Sequence, residues 1–191
     1  DHAQLEIFEQ YFYDLNQYSR GIDSSEEYSD IIHNINEKIA IFESTAGITS
    51  GSINAMDLYR LGTVIYNECE VEEVQQNEIL QLNKSYLTKP NEYRPVYVRI
   101  SEKVIEIYPN NITSCSCTYT RKPLRPSWGY VVINNKAMYD PTNKVDFELH
   151  QSEENELVYK ILKFAGLSMR RNDLAQGGQG LESLQIQQEK Q

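Results

Sequence analysis

Apolar side chains recur every third or fourth position over residues 2–19, at Leu5, Phe8, Phe12, Leu15 and Tyr18, with acids and glutamines between. That period predicts an amphipathic helix. Gly21 and Asp23-Ser24-Ser25 break the pattern and offer a fresh N-cap. The stripe resumes over 25–43 at Tyr28, Ile31, Ile32, Ile35, Ile39 and Phe42, so the start of the chain reads as a helical hairpin. Ser44 to Ser52 is small and polar and reads as a loop.

Beyond residue 55 the period shortens. Leu58 to Tyr66 reads as a strand, with Gly62 marking a bulge or a close backbone approach. The acids Glu68, Glu70, Glu72 and Glu73 lead to a short helix over 74–83. Runs rich in β-branched and aromatic residues follow: Val96–Ile100, Val104–Tyr108, Cys115–Tyr119, Trp128–Ile133 and Asp146–His150. Their connections are too short for helical crossovers, so they predict an antiparallel sheet or small sandwich. Ser152 can cap a last helix whose apolar face is Leu157, Val158, Ile161, Leu162 and Ala165, with Gly166 placed to end it.

The remaining residues are rich in Gln and Gly and too poor in apolar side chains to build a core. They read as an extended arm, with Leu181, Leu184 and Ile186 as its docking residues. The fold class expected is therefore α+β. A helical hairpin and loop occupy 1–55, an antiparallel β domain with a closing helix 56–168, and the arm 169–191.

Composition changes this picture in two respects. The 191 residues carry 18 basic against 28 acidic side chains, a formal charge of −10, which argues against a sequence-specific DNA reader. Fourteen tyrosines accompany a single tryptophan, a bias seen at protein interfaces and also in tyrosine-rich sheet edges. No apolar run approaches the ~20 residues of a membrane span.

Catalytic and metal signatures are weak throughout. Asp30 with His33, and Glu148 with His150, pair at helical and strand spacing but lack further ligands, so surface ion pairs explain them. Cys115 and Cys117 share a strand face without a second pair, and Cys69 stands apart, so small apolar packing explains them. Gly177-Gly178-Gln179-Gly180 has neither the preceding strand nor the Lys-Ser/Thr ending of a phosphate loop. No cofactor, metal or catalytic residue is assigned.

One feature points outward. Arg121, Lys122 and Arg125 cluster around Pro123 and Pro126 and run into Trp128. Proline stiffens such a corner, and Arg and Trp are frequent interface anchors. Two readings stand: a contact site for an acidic surface or phosphate, or a rigid turn with Trp128 tucked into the core.

Together, Tyr93-Arg94-Pro95-Val96-Tyr97, the Arg121 to Trp128 corner, Phe147-Glu148-Leu149-His150, Leu157 to Gly166 and the Gln-rich ending resemble virion structural proteins of tailed phages of Bacteroides-type bacteria. The likeness is to neck or ring components of crAss-like phages, and it covers roughly residues 56–191. It implies a non-enzymatic subunit of the head-to-tail connector, assembled in the host cytoplasm and located in the virion neck. Copies would ring a channel through which DNA passes without sequence-specific binding, and would meet portal, neck and tail proteins but no membrane.

Expected contacts are Arg121, Lys122, Arg125, Trp128, Leu181, Leu184 and Ile186. A capsid-surface or tail-attachment protein is the neighbouring alternative. A carbohydrate- or host-surface-binding β module is another, with Tyr97, Tyr119, Trp128 and Tyr130 as a stacking platform. A hydrolase would need a deep pocket holding a carboxylate of strongly raised pKa.

Overall fold

In chain order the elements are α1 (His2–Ser19), α2 (Glu26–Ala40), β1 (Glu43–Thr49), β2 (Ser52–Ile53), β3 (Leu58–Tyr66), β4 (Cys69–Glu73), α3 (Gln76–Leu82), β5 (Val96–Arg99), β6 (Ile105–Tyr108), β7 (Ser114–Arg121), β8 (Tyr130–Ile133), β9 (Lys136–Tyr139), α4 (Glu154–Ser168) and α5 (Asn172–Glu189). The class is α+β. This computed structural model describes residues 1–20 and 26–189, and the side chains of 26–29, 186, 188 and 189 lie outside the description. The predicted break at Gly21 and Asp23-Ser24-Ser25, and the side chain of Tyr28, are therefore outside the described residues. Two compact units result, one of Phe42–Lys122 and one of Asp1–Ile41 with Pro123–Gln191.

In the first unit, seven strands follow the order β2-β1-β7-β3-β4-β5-β6. The pairs are antiparallel except β4 with β5, which run parallel because α3 carries the chain back across. The outer strands meet: Ile53 N–H donates to Lys103 C=O at 2.9 Å, and Ile105 N–H donates to Gly51 C=O at 2.9 Å. The sheet closes into a small barrel, which removes most open edges. Every strand of it points at least one side chain into one core, among them Ile48, Ile53, Leu58, Val71, Tyr97, Ile107 and Cys117. Tyr97 and Tyr119 are both buried there.

The continuous apolar run of β5 has a two-sided cause. Tyr97 faces the barrel interior, while Val96 and Val98 pack outside against Val74 and Ile79 beneath α3. Gly62 lies where the β3–β7 register shifts, and a Cβ there would come within 2.7 Å of Thr118 Oγ1. The close approach expected of that glycine is present.

Three assignments change. Ser44 to Thr49 is no loop, since β1 pairs with β7 over seven residues from Glu43 to Thr49. Cys69–Glu73 is a strand that carries one inward residue, Val71, so its acids mask it. Asp146–His150 forms no strand.

In the second unit α1 buries Ala3, Ile7, Phe8, Tyr11 and Phe12, and the Phe8 and Phe12 rings meet edge-on at 5.1 Å. α2 contributes Ile35 and Ile39. The expected inward face of α4 is corrected: Leu157 is buried, but Val158, Ile161 and Leu162 are exposed. Buried in their place are Lys160 and Gly166. α4 runs on past Gly166 to Ser168, and Ser152 precedes it in a short 3₁₀ turn, its N–H donating to His150 Nδ1 at 3.2 Å. The expected extended arm is instead the helix α5, packed along α4. Among the described residues no helix is long and apolar enough to cross a membrane.

Candidate interaction surface

The segment from Pro123 to His150 holds a two-stranded ribbon built on a laddered stem. At its base Gln4, which is fully buried, donates from Nε2 to Leu124 C=O at 2.9 Å and accepts Glu148 N–H at Oε1 at 3.1 Å. The Glu148 carboxylate accepts Leu124 N–H at 2.7 Å. Ser127 and Val145 then exchange both backbone hydrogen bonds, and Asp140 N–H donates to Gly129 C=O at 3.0 Å. A Cβ at Gly129 would collide with Asp140 and Asn143, so only glycine lets the turn at 140–144 pass this close. Replacing Gln4 with Leu strands Leu124 C=O and Glu148 N–H. We expect a loss of about 2 kcal/mol, read as a lowered urea midpoint at unchanged slope. An unchanged midpoint would show that the stem does not depend on this tie.

Above the stem, β8 and β9 pair from Tyr130↔Tyr139 to Ile133↔Lys136. Asn134 and Asn135 have φ of +50° and +63°, the left-handed pair of a two-residue hairpin turn. Tyr130, Val132, Ala137 and Tyr139 share one face, and Val131, Ile133, Lys136 and Met138 the other. Neither face is covered, for every residue of both strands is exposed. Trp128 is 63% exposed and stacks on Tyr130 with ring centroids 5.6 Å apart. The alternative in which Trp128 lies in the core is excluded. A two-stranded hairpin is marginal alone in water, and here apolar surface stays open on both faces.

The other expected contacts are dispersed. Arg121 ends β7 with its guanidinium 5.9 Å from the Phe42 ring centroid. Lys122 is exposed, its N–H donating to Asp57 C=O at 2.9 Å. Both belong to the barrel unit, whereas Arg125 and Trp128 belong to the other. Arg125 is largely exposed, with Asp1 3.6 Å away. On α5, Leu181 and Leu184 are exposed, as are Val158, Ile161 and Leu162 on α4; the Ile186 side chain lies outside the described ones. The stacking platform of four aromatics does not form, because Tyr97 and Tyr119 are barrel core. Sequence reasoning missed β9. Its signal was Asn134-Asn135 between two apolar runs, of which only the first, Trp128–Ile133, reads as a strand from the sequence.

A second cluster lines a cleft of about 490 Å³ in the helical unit. Lys160 Nζ lies 3.0 Å from Glu6 and from Glu182 and 3.4 Å from Glu156. Lys163 reaches the other Glu182 oxygen at 2.9 Å, and Lys38 pairs with Glu153. Burial and then a hydrogen bond with Glu153 push the Glu156 carboxyl up to about 7. Burial also pushes on Glu153, but Lys38 outweighs it and holds that carboxyl below its usual range. A raised carboxyl in a cleft is what a hydrolase needs. Here the two carboxyls touch each other, closer than the ~5 Å separation of a glycosidase pair, and lysines occupy both. Among the described residues no group of three or more His, Cys, Asp and Glu could hold a metal ion.

No protein family matches this chain, and comparison with curated proteins finds no match.

Proposed function

We propose that this chain is a non-enzymatic structural subunit of a phage head-to-tail connector, part of a ring that joins portal to tail components in the virion neck. The observation that carries the assembly reading is the β8–β9 ribbon, rigid at its stem and uncovered on both faces. A ribbon of this kind is completed by another protein chain. The exposed apolar stripe of Val158, Ile161 and Leu162, with Leu181 and Leu184, gives the same unit further contact surface. The connector assignment within that class comes from the sequence resemblance. The −10 charge suits a channel past which DNA slides without sticking.

Native mass measurement of the chain, alone and with portal and neck proteins, tests this reading. We expect a large closed oligomer or a mixture that assembles with those partners. Val132→Asp, which places a charge on an exposed strand position, should weaken association at least about tenfold while leaving the circular dichroism spectrum unchanged. A persistent monomer that ignores those partners would remove the assembly reading. The exposed Trp128–Tyr130 stack favours a second reading, a sugar-binding module, which predicts glycan binding by that monomer.

A further inference from the structure

We infer that the tip of the β8–β9 ribbon of one copy docks in an acid-rimmed groove on the barrel unit of a second copy. This rests on the assembly reading above and supplies the acceptor surface that it lacks. The groove, about 510 Å³, lies between α3, the end of β4 and the start of β5. Its size falls within the ~300–1,000 Å³ of preformed binding clefts.

Val74, Leu82 and Val96 supply its apolar lining, and Glu72, Glu73 and Glu78 its acids. Arg94 is the one lining cation among the described residues. It sits 3.4 Å from Glu72, so three carboxylates against one guanidinium leave two negative charges in the groove. Between Ser85 and Thr88, which also line the groove, Tyr86 and Leu87 are 99% and 94% exposed. Apolar side chains thus stand uncovered at its lip.

The ribbon tip has the matching chemistry. Ile133 and Lys136 flank the two-residue turn as a cross-strand pair, one apolar and one cationic. Both are exposed, and Lys136 has no ion pair among the described residues. The turn has a defined shape before docking, because both asparagines hold left-handed backbone at the hairpin end. Little ordering entropy is then lost on docking.

Charge complementarity selects a second copy as occupant. The chain carries −10, so two copies repel except where a cation of one meets acids of the other. Lys136 against the Glu72, Glu73 and Glu78 rim is such a place. Donor and acceptor are different surfaces, so the contact is head-to-tail and can repeat until it closes into a ring.

Sedimentation of the full chain with Lys136→Glu, Glu72→Lys and the two combined tests the pairing, with Val132→Asp as the ribbon control. Each charge reversal should weaken self-association about tenfold, and the combination should restore it. Restoration supports the docking. Loss in both single variants without restoration overturns it, as would self-association untouched by either. If Val132→Asp alone abolishes association, the ribbon docks elsewhere and the assembly reading survives. A wild-type chain that stays monomeric by itself overturns self-docking, and assembly with portal or neck proteins would still uphold the wider reading.

Discussion

Lys160→Met should destabilise the helical unit by about 3–5 kcal/mol at pH 8, because it removes the cation from a buried site and leaves its acids behind. The Lys160 ammonium is only 6% exposed and is within 3.4 Å of Glu6, Glu156 and Glu182. Burial alone would lower its pKa, but hydrogen bonds to Glu6 and Glu182 outweigh that and raise it. Among the described residues the cluster holds three cations, Lys38, Lys160 and Lys163, against four carboxyls, Glu6, Glu153, Glu156 and Glu182. Holding a proton on Glu156 balances it.

The sign of the pH dependence follows. Glu156 has a folded pKa of about 7, above its ordinary value of 4.5, so the folded state binds more protons than the unfolded one between those values. Its contribution to stability falls as pH rises from about 4.5 to about 7. Glu156→Gln should therefore flatten that part of the stability profile and stabilise the chain at pH 8. In Lys160→Met the remaining acids protonate more readily, so the loss should shrink at pH 5. Urea unfolding followed by helix ellipticity at the two pH values decides this. An equal loss at both would mean that Lys160 acts through the packing of its methylenes and not through its charge.

The adjacent glycines of α5 should respond with opposite signs. A Cβ on Gly178 would sit 2.8 Å from Lys163 N and 3.0 Å from Tyr159 O, both backbone atoms of α4. A Cβ on Gly166 of α4 would sit 2.5 Å from Ala175 N of α5. The two helices touch backbone to backbone at these points, one glycine from each. Gly178→Leu should cost about 3 kcal/mol, at the upper end of overpacking losses.

The displacement has a second consequence. Glu182 stands one turn beyond Gly178 on α5 and meets Lys160 and Lys163 of α4, so pushing α5 away separates these ion pairs too. Protease should then cut within 172–189. A methyl group added at Gly177 would meet nothing within 4 Å, so Gly177→Ala should stabilise by up to ~1 kcal/mol through helix propensity alone. Loss of stability in Gly177→Ala, or a silent Gly178→Leu, would contradict this packing of α5 on α4.

The same residues show why the end of the chain was hard to read. Gln176 to Gly180 has the composition of a linker, and glycine carries no apolar signal. Its role at position 178 is room for a neighbouring backbone, which appears only when that neighbour is present. The α4 face misled for a related reason. Leu157, Val158, Ile161 and Leu162 have helical spacing, but of these four Leu157 alone is buried, and it is joined by Lys160 and Gly166, whose partners Glu6, Glu182 and Ala175 lie on other helices. At the ribbon, Trp128 was legible as an outward candidate, while the exposure of both faces was not. Strand alternation implies a covered face only when something lies over it.

Residue spacing and composition were enough to establish helices α1, α2 and α4, strands β3, β5, β6 and β7, the close approach at Gly62 and the acidic charge. Each is a local property, set by side chains along a few residues of backbone. Long-range packing decided the rest: that Ser44 to Thr49 becomes a strand, that β2 meets β6 to close a barrel, and that β8 and β9 pair as a sheet of their own. A strand of small residues gains its hydrogen bonds from a partner far along the chain, as Glu43–Thr49 does from β7, so its own composition need not announce it.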